Sequence, residues 1–191
     1  NWIVRNMVGE NYDLGSPPAG YEFGEVALSV RGLTVPDPAG AGFKLVDRLS
    51  LDVRAGEIVC IYGLMGAGRT ELLETLAGRL KASAGEIVLE GNEISHLSIA
   101  DRIAIGLALV PEDRQRDGLV QTMSVGQNLS LASIMNFTKG FFTQKKAEQD
   151  LIDETIRKVT VKTSGGAAAI GSLSGGNQQK VVFAKWIEAE P

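Results

Sequence analysis

The sequence predicts an α/β fold in which a mixed, largely parallel sheet carries a phosphate-binding loop. Three consecutive segments support this prediction. Residues 57–62 are apolar on both faces, as expected for a central strand of a covered sheet. A glycine-rich loop follows at 63–70, and apolar residues at helical spacing predict a helix at 71–77. Strand, loop and helix in this order are the element around which the rest of the chain is organised.

The loop at 63–70 has the spacing of a phosphate cradle: a glycine, four residues, a glycine, a cation and a hydroxyl. Glycines allow positive φ values and bring backbone N–H groups close to phosphate oxygens. The following helix presents its unpaired N–H groups and the positive end of its dipole to the same anion. The Thr70 hydroxyl is placed to reach Mg²⁺, which prefers oxygen ligands. The expected ligands are Gly63, Gly66, Ala67, Gly68, Arg69 and Thr70.

Arg69 departs from this pattern, because the cation is usually a lysine that reaches between the β- and γ-phosphates. Arginine keeps the charge, but its planar fork is bulkier and orients differently. We therefore expect phosphate binding to survive and hydrolysis at this loop to suffer. The alternative, a plain glycine turn, is disfavoured by the strand before the loop and the helix after it.

The composition is that of an ordinary globular protein of one domain. The chain has 191 residues, 44% of them hydrophobic and 22% charged, with a net charge of -4 that gives no support to a nucleic-acid groove. Neither a secretory signal nor a continuous apolar span is present, so any membrane role is expected to be peripheral. The single cysteine, Cys60, cannot form an intramolecular disulfide and is expected to be a small buried hydrophobe.

Several further elements follow from the patterning. Residues 1–24 are polar and contain a Pro-Pro pair between glycines, which indicates a linker or the tail of a preceding domain. The domain proper is expected to span 25–191. Strands are expected at 26–30, 44–53, 85–89 and 107–110, the last ended by Pro111.

Three helices are predicted from capping residues. Ser98 can cap a brief helix to residue 105, Ser124 one to about residue 133, and Thr143 one to about residue 159. Consecutive helices after a run of strands predict a helical subdomain at about 118–172. The charged residues at 112–118 are expected to form, for the most part, a solvated loop.

A second candidate anion site lies at 173–180. Ser174, Gly175 and Gly176 stand directly before a helix that is expected to reach about residue 188. They offer a hydroxyl, bare N–H groups and a helix N-terminus. Alone, such a segment is often only a flexible cap, but a phosphate loop about a hundred residues upstream favours function. Two sites so far apart would meet across a head-to-tail dimer.

Together, the loop at 63–70, the charged segment that begins at Pro111 and Glu112, and Leu-Ser-Gly-Gly at 173–176 resemble ATP-binding-cassette (ABC) ATPases. The resemblance covers the chain from Val26 onward. The residue sequences of the three segments are similar to those of the second ATPase half of tandem bacterial sugar importers of the ribose type. This resemblance implies the P-loop NTPase fold of ABC type, with an antiparallel strand subdomain and a helical subdomain.

The resemblance also implies roles for individual residues. Glu112 falls where the family usually has a glutamine that touches Mg²⁺ and senses the γ-phosphate, and an ionised carboxylate cannot donate there. Thr70 would bind the metal. The aromatic that stacks on adenine is not at its expected place, where Val35 stands, and Phe43 is the only nearby ring. The signature that covers the γ-phosphate of ATP on a partner cassette matches Ser174, Gly175 and Gly176, with Gln178 beside them.

By this resemblance, the chain binds ATP with Mg²⁺ and helps to power sugar import. Its partners would be the first cassette of the same polypeptide or a second copy, a membrane permease and, indirectly, a periplasmic sugar-binding protein. It would lie peripherally on the cytoplasmic face of the inner membrane and bind no nucleic acid. Residues 1–24 would end the first cassette.

In the family a strand with a metal-binding aspartate, a catalytic glutamate and a switch histidine would follow Pro191. The chain is therefore expected to be cut before that strand and to be inactive in ATP hydrolysis by itself. Two other classes remain open: a non-transport ABC ATPase, and a P-loop kinase or GTPase that would leave 173–180 unexplained.

Overall fold

The fold is seen in a computed structural model that describes residues 22–37, 42–139 and 142–189. The predicted linker therefore lies almost entirely outside the described residues. One four-stranded sheet has the strand order β2-β1-β3-β4, and all of its ladders are antiparallel. Its strands are β1 (Val26–Pro36), β2 (Lys44–Arg54), β3 (Ala84–Leu89) and β4 (Asn92–Glu93).

The sheet packs one face against helix α1 (Arg69–Leu76), which follows the glycine-rich loop. The central strand β1 contributes Leu33 and Val35, and α1 contributes Leu72, and all three are buried. Burying each such side chain stabilises the fold by roughly 1.5–3 kcal/mol. This core fixes the direction in which α1, and hence its N-terminus, points.

Two predicted strands are wrong: residues 57–62 and 107–110 belong to no strand. An extended segment becomes a strand only when a neighbouring backbone satisfies its N–H and C=O groups, and the described residues supply no such neighbour at either place. Ile58 and Tyr62 are 95% and 91% exposed. Cys60 is also exposed, so the prediction of a buried cysteine is wrong for the same reason.

The second half of the chain is mainly helical. The helices are α2 (Ile99–Ala104), α3 (Val125–Ser130), α4 (Lys145–Lys158) and α5 (Gly175–Ile187). A hairpin of β5 (Thr138–Lys139) and β6 (Phe142–Thr143) precedes α4. The helices α3, α4 and α5 share a second core that includes Leu129, Ile152 and Val181.

The predicted caps are confirmed at two of three helices. Ser98 and Ser124 each accept a hydrogen bond from the backbone N–H three residues on, and each is completed as a capping box. Thr143 is not a cap, because it pairs with Thr138 in the β5–β6 hairpin and α4 begins after Gln144. Backbone pairing with Thr138 thus takes precedence over the capping tendency of threonine.

The two cores are joined by the segment around 107–118. Leu107 packs against the sheet core, whereas Val110 packs against the helical core. Lys185 of α5 donates to the carbonyl oxygen of Gly118 at 2.8 Å, and burial lowers the pKa of its ammonium group. The predicted strand at 107–110 therefore acts as a packed connection between the two halves.

Candidate functional site

The glycine-rich loop has the backbone shape that a phosphate cradle requires. Gly66 and Gly68 both have φ values of 79°, which side-chain-bearing residues rarely adopt. A Cβ at Gly68 would also overlap the carbonyl oxygen of Leu45 on β2. Gly68 is the N-cap of α1, so the first N–H groups of that helix open into the loop. The arrangement is suited to an anion.

The rest of the loop faces solvent. Ala67 donates its backbone N–H to the carbonyl oxygen of Leu64 at 3.1 Å, which closes the turn at the loop tip. Arg69 is exposed, and its aliphatic part lies beside Gly63, where an added Cβ would be 3.6 Å from Arg69 Cδ. The side chain therefore runs beside the first glycine of the loop and is largely open to solvent.

Thr70 and Glu112 are brought together by the fold although they are far apart in the sequence. The Thr70 hydroxyl donates to Oε2 of Glu112 at 3.2 Å. A hydroxyl oxygen and a carboxylate oxygen are the donors that Mg²⁺ prefers, and here they adjoin a loop shaped for phosphate. The residues present therefore fit a metal–phosphate group at this position.

The segment after Glu112 is more ordered than the expected solvated loop. Asp113 accepts hydrogen bonds from the backbone N–H groups of Gln115 and Arg116, at 3.0 and 3.1 Å, and caps a π-helical turn over Arg114–Gly118. A cavity of about 600 Å³ lies between this turn and α1, with Thr70 and Leu73 on its far wall.

Arg114 connects this turn to the second candidate motif. Its Nε donates to Oε1 of Gln178 at 3.3 Å, and its guanidinium covers Gly175, where an added Cβ would be 2.6 Å from Nη2. Gln178 is only 4% exposed, and its Nε2 donates to the carbonyl oxygen of Ile170. The structure thus places Gln178 beneath the motif, as a support for Gly175 and its neighbours.

The exposed part of the second motif consists of Ser174 and Gly176. Ser174 is the N-cap residue of α5, yet its side chain makes no capping bond to the helix. Its Oγ accepts a hydrogen bond from Nδ2 of Asn177 at 2.9 Å. Gly176 has open space where a Cβ would be added and has no positive φ. A hydroxyl and a bare stretch of backbone therefore face solvent at the start of α5.

The two motifs do not meet within the chain. Among the described residues, no hydrogen bond or ion pair joins 63–70 directly to 173–178; the connection runs through Glu112 and Arg114. The sequence reasoning missed Arg114 and Asn177. Arg114 stood in a charge cluster with no feature to distinguish it, whereas Asn177 lies three residues after a capping serine, a spacing that signals contact.

The adenine-stacking position stays unassigned. Val35 is buried in the sheet core and has no face for a base, while Phe43 is 71% exposed. Among the described residues, no helix is both long and apolar enough to cross a bilayer.

Comparisons with known proteins agree with this geometry. The family model described as ABC transporter matches residues 46–191. A xylose import ATP-binding protein of Ralstonia nicotianae is 40% identical over 192 residues, which cover 100% of this chain and 37% of that protein. A ribose import ATP-binding protein of Rhodopirellula baltica is 40% identical over 190 residues, which cover 99% of this chain and 37% of that protein. The chain thus spans little more than a third of the length of these relatives.

Solved structures show the same fold. A nucleotide-free ATP-binding cassette from an ABC transporter has a TM-score of 0.72 at 20% identity, covering 87% of this chain and 66% of that chain. A dimeric cassette bound to ADP and Pi has a TM-score of 0.69 at 18% identity, covering 86% and 70%. The predicted α/β fold of a nucleotide-binding cassette is therefore confirmed, whereas the predicted parallel part of the sheet is not found among the described residues, whose ladders are all antiparallel.

Proposed function

The chain belongs to the ABC transporter family, and we propose that it is an ATP-binding domain that couples ATP binding and hydrolysis to the import of a sugar through a membrane permease. The relatives named above for xylose and ribose import support the substrate class. The observation that carries the proposal is the hydrogen bond between Thr70 and Glu112, which places two oxygen ligands beside a loop shaped for phosphate.

In this proposal the loop residues hold the triphosphate of ATP. Backbone N–H groups of 63–70 and the N-terminus of α1 neutralise the phosphate oxygens. Thr70 and Glu112 hold Mg²⁺ when it is bound, and the ion neutralises charge on the phosphates. Arg69, exposed beside Gly63, contributes positive charge. These roles follow from the residue types and their placement.

The two motifs would divide the labour. Arg69 and Glu112 weaken the loop for catalysis, since neither reproduces the compact cation or the neutral amide donor that the resemblance implies. The 173–178 segment carries the full Leu-Ser-Gly-Gly sequence and an exposed serine. We infer that this domain binds ATP and hydrolyses it poorly, while Ser174 completes a competent site on another cassette.

The proposed partners follow from that division. The other cassette is the first domain of the same polypeptide or a second copy, related head to tail. A permease in the inner membrane would receive the assembly on its cytoplasmic face, and a periplasmic sugar-binding protein would supply the sugar. Residues 1–24 would connect the domain to the preceding cassette, and 118–172 would be its helical subdomain.

The nucleotide experiment separates this proposal from a kinase or GTPase. ATP and GTP should compete for the full-length protein with a clear preference for ATP. Thr70→Ala should weaken the Mg²⁺ dependence of binding, and Thr75→Ala offers a control in the same helix, since its hydroxyl donates to Glu71 O within α1. Equal binding of GTP would contradict an ATP-binding domain.

The partner experiment separates transport from other ABC ATPases. Full-length protein should copurify with an integral membrane permease, and adding the transported sugar with its binding protein should raise ATP turnover in membranes. Copurification with ribosomes or DNA in place of a permease would favour the non-transport alternative.

A further inference from the structure

We propose that Asn177 is a positioning residue that turns the hydroxyl proton of Ser174 outward, toward a phosphoryl oxygen held by the other cassette. The inference rests on the proposed function of the 173–178 segment and adds a residue that the sequence reasoning did not assign. It comes from the hydrogen bonds of Asn177, which fix the orientation of its amide.

A comparison among three serines of the chain shows that Ser174 is exceptional. Ser98, Ser124 and Ser174 all begin helices and all have a polar residue three positions later. The first two accept a hydrogen bond from the backbone N–H of that residue, at 3.2 Å in each case. Ser174 makes no such bond, and the Asn177 side chain takes the place of the backbone donor. The N-terminus of α5 consequently stays open.

The orientation of the Asn177 amide is determined by its other contact. The backbone N–H of Lys162 donates to Oδ1 of Asn177 at 2.9 Å. Since a backbone N–H can only donate, the atom facing Lys162 must be the oxygen, and the NH₂ group must face Ser174. Asn177 therefore acts toward Ser174 only as a donor.

This arrangement controls the serine proton. Ser174 Oγ already accepts from Nδ2 of Asn177, so its own O–H cannot point at that nitrogen. Within the described residues the hydroxyl of Ser174 donates no hydrogen bond, and the residue is exposed. The proton is therefore directed to solvent, where an incoming phosphoryl oxygen would accept it.

The turn that fixes Asn177 is itself held by α5. Lys180 Nζ donates to both the carbonyl oxygen and the hydroxyl of Thr160, each at 2.8 Å. Thr160 has a φ of 52°, in the left-handed region that β-branched residues rarely adopt. The turn at 160–162 thus keeps an unfavourable conformation that aims the Lys162 N–H at Asn177.

The test exchanges the amide for a carboxylate of the same shape. In Asn177→Asp one oxygen still accepts a hydrogen bond from the Lys162 N–H. The other oxygen now faces Ser174 and accepts a hydrogen bond from its hydroxyl, which turns the O–H away from the phosphate. Losing a positioned donor costs about 10²–10³-fold in turnover, and we expect Asn177→Asp to lose at least about tenfold. Gln127→Glu is the matched control, because it makes the same charge change at the equivalent position of α3.

The measurement is ATP turnover of the full-length protein in a double-mutant cycle with Ser174→Ala, together with thermal unfolding of each variant. The inference predicts that Asn177→Asp lowers turnover in the Ser174 background and has no further effect after Ser174→Ala, with unfolding temperatures unchanged. Multiplicative effects of the two substitutions, or wild-type turnover in Asn177→Asp, would overturn the inference and leave the proposed function standing. Wild-type turnover in Ser174→Ala would overturn the proposed function itself.

Discussion

The glycine loops at 63–70 and 173–178 look alike in the sequence, yet their glycines are required for different reasons. Gly68 is demanded by the fold, because its φ is 79° and a Cβ there would overlap the Leu45 carbonyl. Gly176 has ordinary backbone geometry and open space around it. Among the described residues, nothing prevents a side chain at Gly176.

The hydroxyl groups differ in the same way. Thr70 donates to Glu112 of its own chain, whereas Ser174 is oriented by Asn177 and leaves its proton free. In our proposal the first loop is completed by residues of this domain, and the second covers a nucleotide held by another cassette. Since the described residues give no steric reason for Gly176, our proposal attributes this glycine to the close approach of a nucleotide on another cassette.

The largest effect is expected from Ser174→Ala in the full-length protein. If the serine donates to a developing phosphoryl charge on the other cassette, ATP turnover should fall by about 10²–10³-fold. Arg69→Ala should lower turnover much less, since in our proposal the loop at 63–70 is not the main catalytic site. Steady-state ATPase rates compare the two, and the reverse ranking would refute the division of labour.

Replacing Gly176 and Gly68 by alanine, one at a time, separates a glycine required for function from one required for the fold. Gly176→Ala should reduce turnover by about tenfold or more, because the methyl group blocks the approach of a phosphate that needs close donors. Its unfolding free energy should stay equal or rise by up to about 1 kcal/mol, as alanine favours a helix.

Gly68→Ala should instead lose roughly 2 kcal/mol or more of stability, from positive φ and overlap with Leu45. Denaturant titration measures both variants. A destabilised Gly176→Ala, or an unaffected Gly68→Ala, would remove the distinction between the two loops.

Arg69→Lys tests whether the arginine is the reason that, in our proposal, the loop 63–70 hydrolyses ATP poorly. Arg69→Lys puts an ammonium group on a flexible stem where the guanidinium fork now lies. We expect a few-fold gain in turnover, on the order of 1 kcal/mol of transition-state stabilisation, with stability unchanged because Arg69 is exposed. Single-turnover hydrolysis of labelled ATP measures the gain, and a loss of activity would contradict it.

Glu112→Gln tests the second residue that, in our proposal, lowers ATP hydrolysis at the loop 63–70. We expect it to raise ATP turnover by a similar or smaller factor than Arg69→Lys. The amide oxygen can still accept from the Thr70 hydroxyl, and the amide NH₂ supplies the missing donor. ATP turnover against Mg²⁺ concentration is the measurement, with Glu74→Gln on the opposite wall of the cavity as the control. Equal changes in both variants would show a general charge effect.

The smallest effect concerns pH and serves as a benchmark outside both loops. Hydrogen bonds from Ser95 and His96 lower the pKa of Glu93 to about 2. Since the folded pKa lies below the ordinary 4.5, this contribution to stability is present above pH 4.5 and is lost as the pH falls toward 2. Glu93→Gln should flatten that acid dependence and leave ATP turnover unchanged, as acid titrations followed by circular dichroism and ATPase assays would show.

Much of the fold was predictable from local patterns. Alternation at 26–30 and apolar positions at 44–53 and 85–89 predicted β1, β2 and β3, and Ser98 and Ser124 cap their helices as expected. The failures at 57–62, 107–110 and Cys60 share one cause, because strand formation and burial depend on a neighbouring backbone that a local pattern does not contain. The prediction that Thr143 caps a helix was wrong for a related reason, because the backbone of Thr143 pairs with that of Thr138.

The site was predictable only in part. The spacing of the two motifs predicted which glycines and hydroxyls form the loops. The family resemblance implied that Glu112 and Thr70 both lie near Mg²⁺, and the two side chains are in contact. The roles of Arg114, Gln178 and Asn177 depend on which atoms of the folded chain they face, and residue types alone leave that open. Asn177 shows this best, since its amide orientation is set by the N–H of Lys162 fifteen positions earlier.

The central claim is that the 173–178 segment covers ATP bound elsewhere, and a thiol at Ser174 tests it directly. In full-length protein with Cys60→Ser and its other cysteines replaced, Ser174→Cys should react with a maleimide more slowly in the presence of ATP and Mg²⁺ than without them. Ser83→Cys, an exposed position beside the sheet, should react equally in both conditions. Equal labelling of Ser174→Cys with and without nucleotide would contradict the account.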